Sequence, residues 1–207
     1  MSLLEQLFPG LEKYVGGDIP VWENRESPWS IFSPGELGLE KQIKDLIGKS
    51  EGDSFIHPSS SIDGSAIIEP NCYVGAKVEI RNGAYLRSGS WICDGALVGH
   101  SSEIKGSILL PGAKAPHFNY VGNSIIGFGA NLGAGVKLSN VRNDKREIAV
   151  SLQDGSKINS GLRKLGAMIG DNCQLGCNVV TNPGAIMPPS SMISPNETVT
   201  GWFESKF

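Results

Sequence analysis

Aliphatic residues recur at a spacing of six through the middle of the chain: Ile56, Ile62, Ile68, Val74, Ile80, Leu86, Ile92, Val98, Ile104 and Leu110 form an unbroken run. Six is neither the 3.6 of an α-helix nor the simple alternation of a ladder strand. Each hexad therefore has to be a short strand plus a turn, with one aliphatic side chain pointing inward. The residue four further on is usually small (Ala66, Cys72, Ala84, Ser90, Ala96, Ser102), and glycine recurs close to the aliphatic at Gly75, Gly99, Gly127, Gly133, Gly170 and Gly176. Small residues suit corners where successive coils pass close together. Three hexads make one triangular coil, and coils stack as parallel strands about 4.8 Å apart. The pattern predicts an all-β fold: a single-stranded parallel β-helix of about six coils over residues 53–195.

The period resumes at Tyr120, Ile126, Leu132 and Leu138, and again at Ile169, Leu175, Thr181, Met187 and Ile193. Two interruptions separate these runs. The first lies between Leu110 and Tyr120 and holds Lys114 to Asn119. The second, about 141–163, carries the charged run Arg142 to Glu147 and then alternates Ile148, Val150 and Leu152 up to Asp154-Gly155. That alternation reads as a β-hairpin arm leaving the prism. Residues 1–52 lack the repeat, and Leu37, Leu39, Ile43, Leu46 and Ile47 share roughly one helical face. A helical cap over the open end of the solenoid is the expected role. The tail, 196–207, carries Trp202 and Phe203 and is expected to close the other end or to reach a neighbouring subunit.

Composition narrows the class. With 207 residues the chain holds one well-buried domain plus an appendage. Eighteen Lys and Arg against 21 Asp and Glu give a formal charge of −3, so no global basic field favours nucleic acid or an anionic membrane. The 27 glycines and only 7% aromatics fit a repetitive, tightly turned core of small aliphatics. No apolar stretch is long enough for a membrane span, and the start has no secretory signal pattern, so a soluble, cytoplasmic protein is expected. Cys72, Cys93, Cys173 and Cys177 fall into no disulfide or zinc pattern and are expected to be reduced thiols.

Some candidate chemistry follows from the register. Arg87 and Lys105 lie 18 residues apart, one coil, so they are expected one above the other on the same edge. Two stacked cations are either solvated surface residues or a clamp for an anion such as phosphate. His117 falls in the first interruption, and its ordinary pKa near 6.5 suits a general base. A hydrogen-bonded loop histidine is the plainer alternative. Tyr120 could be a hexad core position, and Asn131 a stacked corner residue. His57, His100 and His117 stand 43 and 17 residues apart, which does not match the close histidine pair of a zinc site on such a prism, and no metal is expected.

The hexads resemble the left-handed β-helix acyltransferases, a resemblance that supplies the expected hand. Between Arg87 and Asn140 the likeness is more specific. Leu86-Arg87-Ser88-Gly89, Glu103-Ile104-Lys105, His117-Phe118-Asn119-Tyr120-Val121-Gly122 and Asn131-Leu132-Gly133-Ala134-Gly135 stand in order. They are similar to the acetyltransferase half of the bifunctional glucosamine-1-phosphate acetyltransferase and N-acetylglucosamine-1-phosphate uridylyltransferase family. Asn140-Val141-Arg142-Asn143-Asp144 and Ser160 to Gly166 are closer to the archaeal-type sugar-phosphate nucleotidylyltransferases that carry the same β-helix. The glycine-rich nucleotide loop of the other half does not occur in the sequence, so nucleotidylyltransferase activity is not expected.

The resemblance implies acetyl-CoA-dependent N-acetylation of an amino-sugar 1-phosphate. It implies His117 as base, Arg87 and Lys105 on the phosphate, Tyr120, Asn131 and Asn140 on the sugar, and Ala134, Cys177 and Pro195 along the coenzyme. It also implies a homotrimer with sites shared between subunits. The rival reading is a non-catalytic β-helix subunit or scaffold that partners a separate nucleotidylyltransferase.

Overall fold

A computed structural model describes residues 1–48 and 52–204. Twenty-one short strands form three seven-stranded parallel sheets, and consecutive strands visit the three sheets in rotation. The result is a triangular prism of seven coils. Face A runs from Phe55–Ile56 to Ala185–Met187, face B from Ser61–Ile62 to Met192–Ile193, and face C from Ile67–Ile68 to Thr198–Val199. The last of these strands places residues 198–199 of the expected tail inside the prism, where they complete a seventh coil begun by Ala185–Met187 and Met192–Ile193.

The hexad aliphatics stack into three inward columns. On face A the column is Ile56, Val74, Ile92, Leu109, Ile126, Ile169 and Met187, each opposite the next in register. From Val74 onward, and together with the columns of the other faces, they make one continuous core. Backbone N–H groups such as those of Phe55 and His57 donate to Cys72 and Val74 of the next coil at 3.0 and 2.9 Å.

The first interruption is not a loop. Lys114–His117 is a strand of face B, paired parallel with Leu97–His100. The irregular spacing arises at the corner between faces C and A. There Lys105-Gly106-Ser107 and Gly122-Asn123-Ser124 each replace the longer Arg87-Ser88-Gly89-Ser90. Each shortened corner moves the register by one residue. Leu109, not Leu110, points inward, and Val121, not Tyr120, fills the core position. Buried serine hydroxyls seal these corners: Ser107 Oγ donates to the carbonyls of Lys105 and Val121 at 2.8 and 3.2 Å, and Ser124 Oγ to that of Gly122 at 2.9 Å. Gly106 and Asn123 take φ of 51° and 45°, a region open to glycine and tolerated by asparagine.

Residues 1–48 do not cap the open end of the prism. The outward positions of face A are Phe55, Tyr73, Trp91, Ile108, Ile125, Met168 and Ile186, an apolar ladder in register from end to end. Helices Leu3–Leu7 and Leu39–Ile47, with the 3₁₀ turn Pro28–Phe32, lay Leu7, Phe8, Trp29, Ile31 and Ile43 against it. Two carboxylates pin the segment: Asp94 accepts from Tyr14 Oη at 2.8 Å and Gly17 N at 2.9 Å, and Asp171 from Gly10 N at 2.8 Å. Meanwhile Ile56 in the first coil remains 42% exposed. The chain uses its N-terminal segment where apolar area is greatest, along a whole face rather than over one coil.

The second interruption forms the expected hairpin, Ala149–Ser151 antiparallel to Lys157–Asn159. It does not project. Ile148 and Val150 are buried with Leu165, Met168 and Ile186, so the arm lies along the prism beside the N-terminal segment. At the C-terminal end Phe203 packs against the inner core, its N–H on the carbonyl of Ile186 at 2.8 Å. The tail thus closes this end.

One inward position breaks the aliphatic rule. Thr181 sits between Leu138 and Val199, and its buried hydroxyl has no hydrogen-bond partner. Thr181→Val keeps the shape and removes the unpaired group. It is expected to stabilise the fold by about 1 kcal/mol, read from chemical denaturation; a loss of stability would show that the hydroxyl is satisfied.

Candidate functional site

Strand register fixes the first group of side chains at the corner between faces C and A. Arg87, at the end of Tyr85–Arg87 in the second coil, is the direct partner of Lys105, at the end of Glu103–Lys105 in the third. The expected stacking of two cations is present. Arg87 is held by carboxylates: its Nη1 donates to Glu103 Oε1 at 3.0 Å, and its Nε lies 4.0 Å from Glu69 Oε1. Glu69 is itself bonded by the Tyr85 hydroxyl and by Ser88 N, which hold its carboxyl below the usual range. Lys105 forms no ion pair among the described residues. Burial first, and then the charges of Arg87 and Lys164, push its ammonium below the ordinary lysine range.

Lys164 is a contributor that the sequence pattern does not single out. It stands where the arm returns to the prism, tied by an antiparallel bridge to Val141. Its nearness to Lys105 depends on a 43-residue coil closing, and no local spacing announces that. Tyr120 faces outward on face C, opposite Glu103, and its hydroxyl donates to Asn140 Oδ1 at 3.4 Å. Asn140 is buried, and its Nδ2 donates to Asn123 Oδ1 at 2.8 Å. Arg87, Lys105, Tyr120 and Asn140 therefore share one face and its edge, as a polar cluster with a surplus cation at its centre.

A second group lies on the corner between faces B and C. His100, His117, Ala134, Cys177 and Pro195 follow one another down this edge in coils three to seven. The amides of Phe118, Gly135, Asn178 and Asn196 donate to the carbonyls of His100, His117, Ala134 and Cys177, each at 2.9 Å. His117 is exposed, and its imidazole has no hydrogen bond among the described residues. Its backbone is fixed by buried Asn119, whose Oδ1 accepts from His117 N at 3.0 Å while its Nδ2 donates to the Gly133 carbonyl at 2.7 Å. Phe118 is 58% exposed at φ 52°, with its ring edge-on to His100 at 5.2 Å. Asn131 stands apart, on face B between Lys114 and Gln174. Within one chain, then, His117 and the column below it occupy a different corner from Arg87, Lys105 and Asn140.

Among the described residues no three His, Cys, Asp or Glu side chains form a group able to hold a metal ion. No helix among them is long and apolar enough to cross a membrane.

No protein-family model matches the chain. It is 36% identical over 187 residues to a bifunctional protein GlmU of Methanococcus maripaludis, covering 84% of this chain and 44% of that protein. It is 33% identical over 185 residues to a bifunctional sugar-1-phosphate nucleotidylyltransferase/acetyltransferase of Sulfurisphaera tokodaii, covering 86% and 46%. The chain thus spans about half the length of the curated relatives it matches. Among solved structures, a hexapeptide transferase family protein from Anaplasma phagocytophilum aligns with a TM-score of 0.51 at 15% identity, over 69% of this chain and 74% of that one. This likeness bears on fold: the prism is the left-handed parallel β-helix of hexapeptide-repeat proteins.

The depressed proton affinity of Lys105 has a sign. A lysine whose folded pKa lies below its free value is disfavoured when charged, so stability is gained above the free-lysine pKa and lost as pH falls through the folded one. Below the folded pKa the penalty is fully present, and a bound anion relieves it. Inorganic phosphate in excess of its Kd is expected to raise the Tm of the wild type by a few degrees. Lys105→Met is expected to raise the Tm without phosphate and to abolish most of the phosphate shift. Equal phosphate shifts in both proteins would remove the anion site.

Proposed function

We propose, for a chain that belongs to the hexapeptide-repeat β-helix proteins related to the GlmU-type bifunctional enzymes, that it transfers an acetyl group from acetyl-CoA to the amine of an amino-sugar 1-phosphate. The observation that carries this reading is the surplus cation at Lys105, stacked on Arg87 and approached by Lys164, in a cluster that also offers Tyr120 and Asn140 as hydrogen-bonding groups. A phosphate placed there neutralises the repulsion, and the attached sugar lies along face C.

The chemistry needs an amine free of its proton, a thioester within reach and a route for that proton. The amine nitrogen attacks the thioester carbonyl carbon, the C–S bond breaks from the tetrahedral adduct, and the thiol leaves. His117 takes the amine proton and returns it to the departing sulfur, so the imidazole ends as it began. No metal is needed for these steps. The thioester arm lies along the edge of Ala134, Cys177 and Pro195, and Asn131 on the adjoining face B is assigned to the sugar on the same reading.

Because His117 and the phosphate clamp sit on different corners of one prism, the reading requires a second copy. A threefold arrangement brings one chain's B–C edge against the C–A edge of the next, so that His117 of the partner subunit meets Arg87 and Lys105. Face A is already covered by residues 1–48 and the arm, which leaves faces B and C for association.

Light scattering is expected to return a mass near three times 22.0 kDa; a dilution-stable monomer would remove the shared site. In a thiol-release assay with acetyl-CoA and a panel of amino-sugar phosphates, His117→Ala is expected to lose about 10²- to 10⁴-fold in kcat with little change in acceptor KM. Arg87→Ala and Lys105→Ala are expected to raise acceptor KM by about 10- to 100-fold. If the wild type releases no thiol with any acceptor yet binds a nucleotidylyltransferase chain, the scaffold reading replaces this one.

A further inference from the structure

The arm concentrates positive charge on an acidic protein. Residues 141–164 contain Arg142, Lys145, Arg146, Lys157, Arg163 and Lys164 against Asp144, Glu147 and Asp154, a net +3 in a chain of net −3, which leaves −6 for the remainder. Between the arm and the prism lies a cleft of about 530 Å³. On the arm side it is lined by Arg142, Asn143 and Lys157, and on the prism side by Ser139, Asn182 and Thr200. Asp144 in the cleft wall holds two guanidiniums, accepting from Arg142 Nη2 and Arg146 Nε at 2.6 and 2.9 Å. One positive charge of that trio is therefore uncompensated. Lys157 is exposed and forms no ion pair among the described residues.

The height of the cleft gives it a meaning. Ser139, Asn182 and Thr200 close the fifth, sixth and seventh turns of face C, as the backbone bonds Ser139 N to Thr181 O and Asn182 N to Val199 O record. Ala134, Cys177 and Pro195 occupy the same three levels on the opposite edge of face C. The phosphate clamp sits at coils two and three, and His117 at coil four. At about 4.8 Å per coil, the cleft begins one level below His117 and ends about 14 Å below it. A thioester anchored beside His117 and running away from the acceptor descends through these levels.

We propose that the cleft under the arm binds the phosphate-bearing adenosine end of coenzyme A, with Arg142 and Lys157 as its charged contacts and Ser139, Asn182 and Thr200 as hydrogen-bonding partners. The assignment rests on the acetyl-transfer reading above, and in the trimer the cleft faces the thioester column of the partner subunit. It gives the 43-residue coil a purpose: the insertion that delivers Lys164 to the acceptor clamp also supplies the charge that holds the donor.

The test compares acetyl-CoA with acetyl-pantetheine, a thioester without phosphates. The Arg142→Ala/Lys157→Ala double variant is expected to raise KM for acetyl-CoA about tenfold or more, to leave KM for acetyl-pantetheine within twofold, and to leave acceptor KM unchanged. Arg142→Lys with Lys157→Arg is expected to recover most of the loss. In calorimetry, adenosine 3′,5′-bisphosphate is expected to bind the wild type and not the double variant. If the wild type turns over acetyl-CoA but the double variant keeps its KM, or loses both thioesters alike, the cleft assignment falls and the acetyl-transfer reading stands. If neither thioester reacts with the wild type, the acetyl-transfer reading falls, and the cleft is then judged on the bisphosphate titration, where no binding overturns it.

Discussion

Every strand of the prism is two to four residues long, and none could hold its place alone. Each depends on the coil above and below for its backbone partners, and on one inward side chain to keep it seated. That dependence makes register the governing constraint. Once Leu86, Ile104 and Val121 share an inward column, the height, face and edge of every neighbouring side chain follow. Arg87 is above Lys105 because each directly follows a residue of that column. The candidate site is therefore a by-product of core packing, and a slip of one residue would turn its side chains to the other face of the sheet.

The same constraint explains why the N-terminal segment lies where it does. A prism strand has one inward and one outward residue, so a face becomes sticky only if its outward positions are also apolar. Face A meets that condition over seven coils. Face C alternates Tyr85, Glu103, Tyr120 and Lys137, and face B carries Glu79, Lys114, Asn131 and Gln174. Covering face A buries Tyr73, Trp91 and Ile108 almost completely, at a few per cent exposure or less. It also leaves the two faces of mixed polarity, with their edges, as the ones open to ligands and other chains.

Much of this is legible in the amino-acid sequence. The six-residue period carries the prism, its axis and the stacking of Arg87 on Lys105, because inward columns impose a strict repeat. Other features are encoded at other periods. The apolar ladder on face A recurs every 17 or 18 residues, with one step of 43 across the inserted arm, and against a period of six each of its members counts as a single unremarked hydrophobe. The two shortened corners are hidden for a similar reason. Ile108-Leu109-Leu110 offers three aliphatics in a row, and only the pairing of Leu109 with Ile92 decides which one points inward. Placing Leu110 in the core makes a strand look like a loop and puts Tyr120 inside. Lys164 is illegible for a third reason: its place depends on where a long insertion returns.

The two shortened corners have an electrostatic consequence. Each removes a residue beside the clamp, so only two residues separate Lys105 or Gly122 from face A, where three, Ser88 to Ser90, follow Arg87. Arg87 sits at the roomier corner and is matched by two carboxylates, Glu69 and Glu103. Lys105 sits at the tight one, matched by none among the described residues, with Asn123 and Asn140 bonded to each other beneath it. The prism thus fixes one cation by pairing and leaves the other unpaired. A clamp in which both were neutralised would gain little from an anion, and one in which neither was would open by repulsion. Holding Arg87 rigid while leaving Lys105 in surplus places the attraction for an anion at one point of the edge, with Tyr120 and Asn140 beside it.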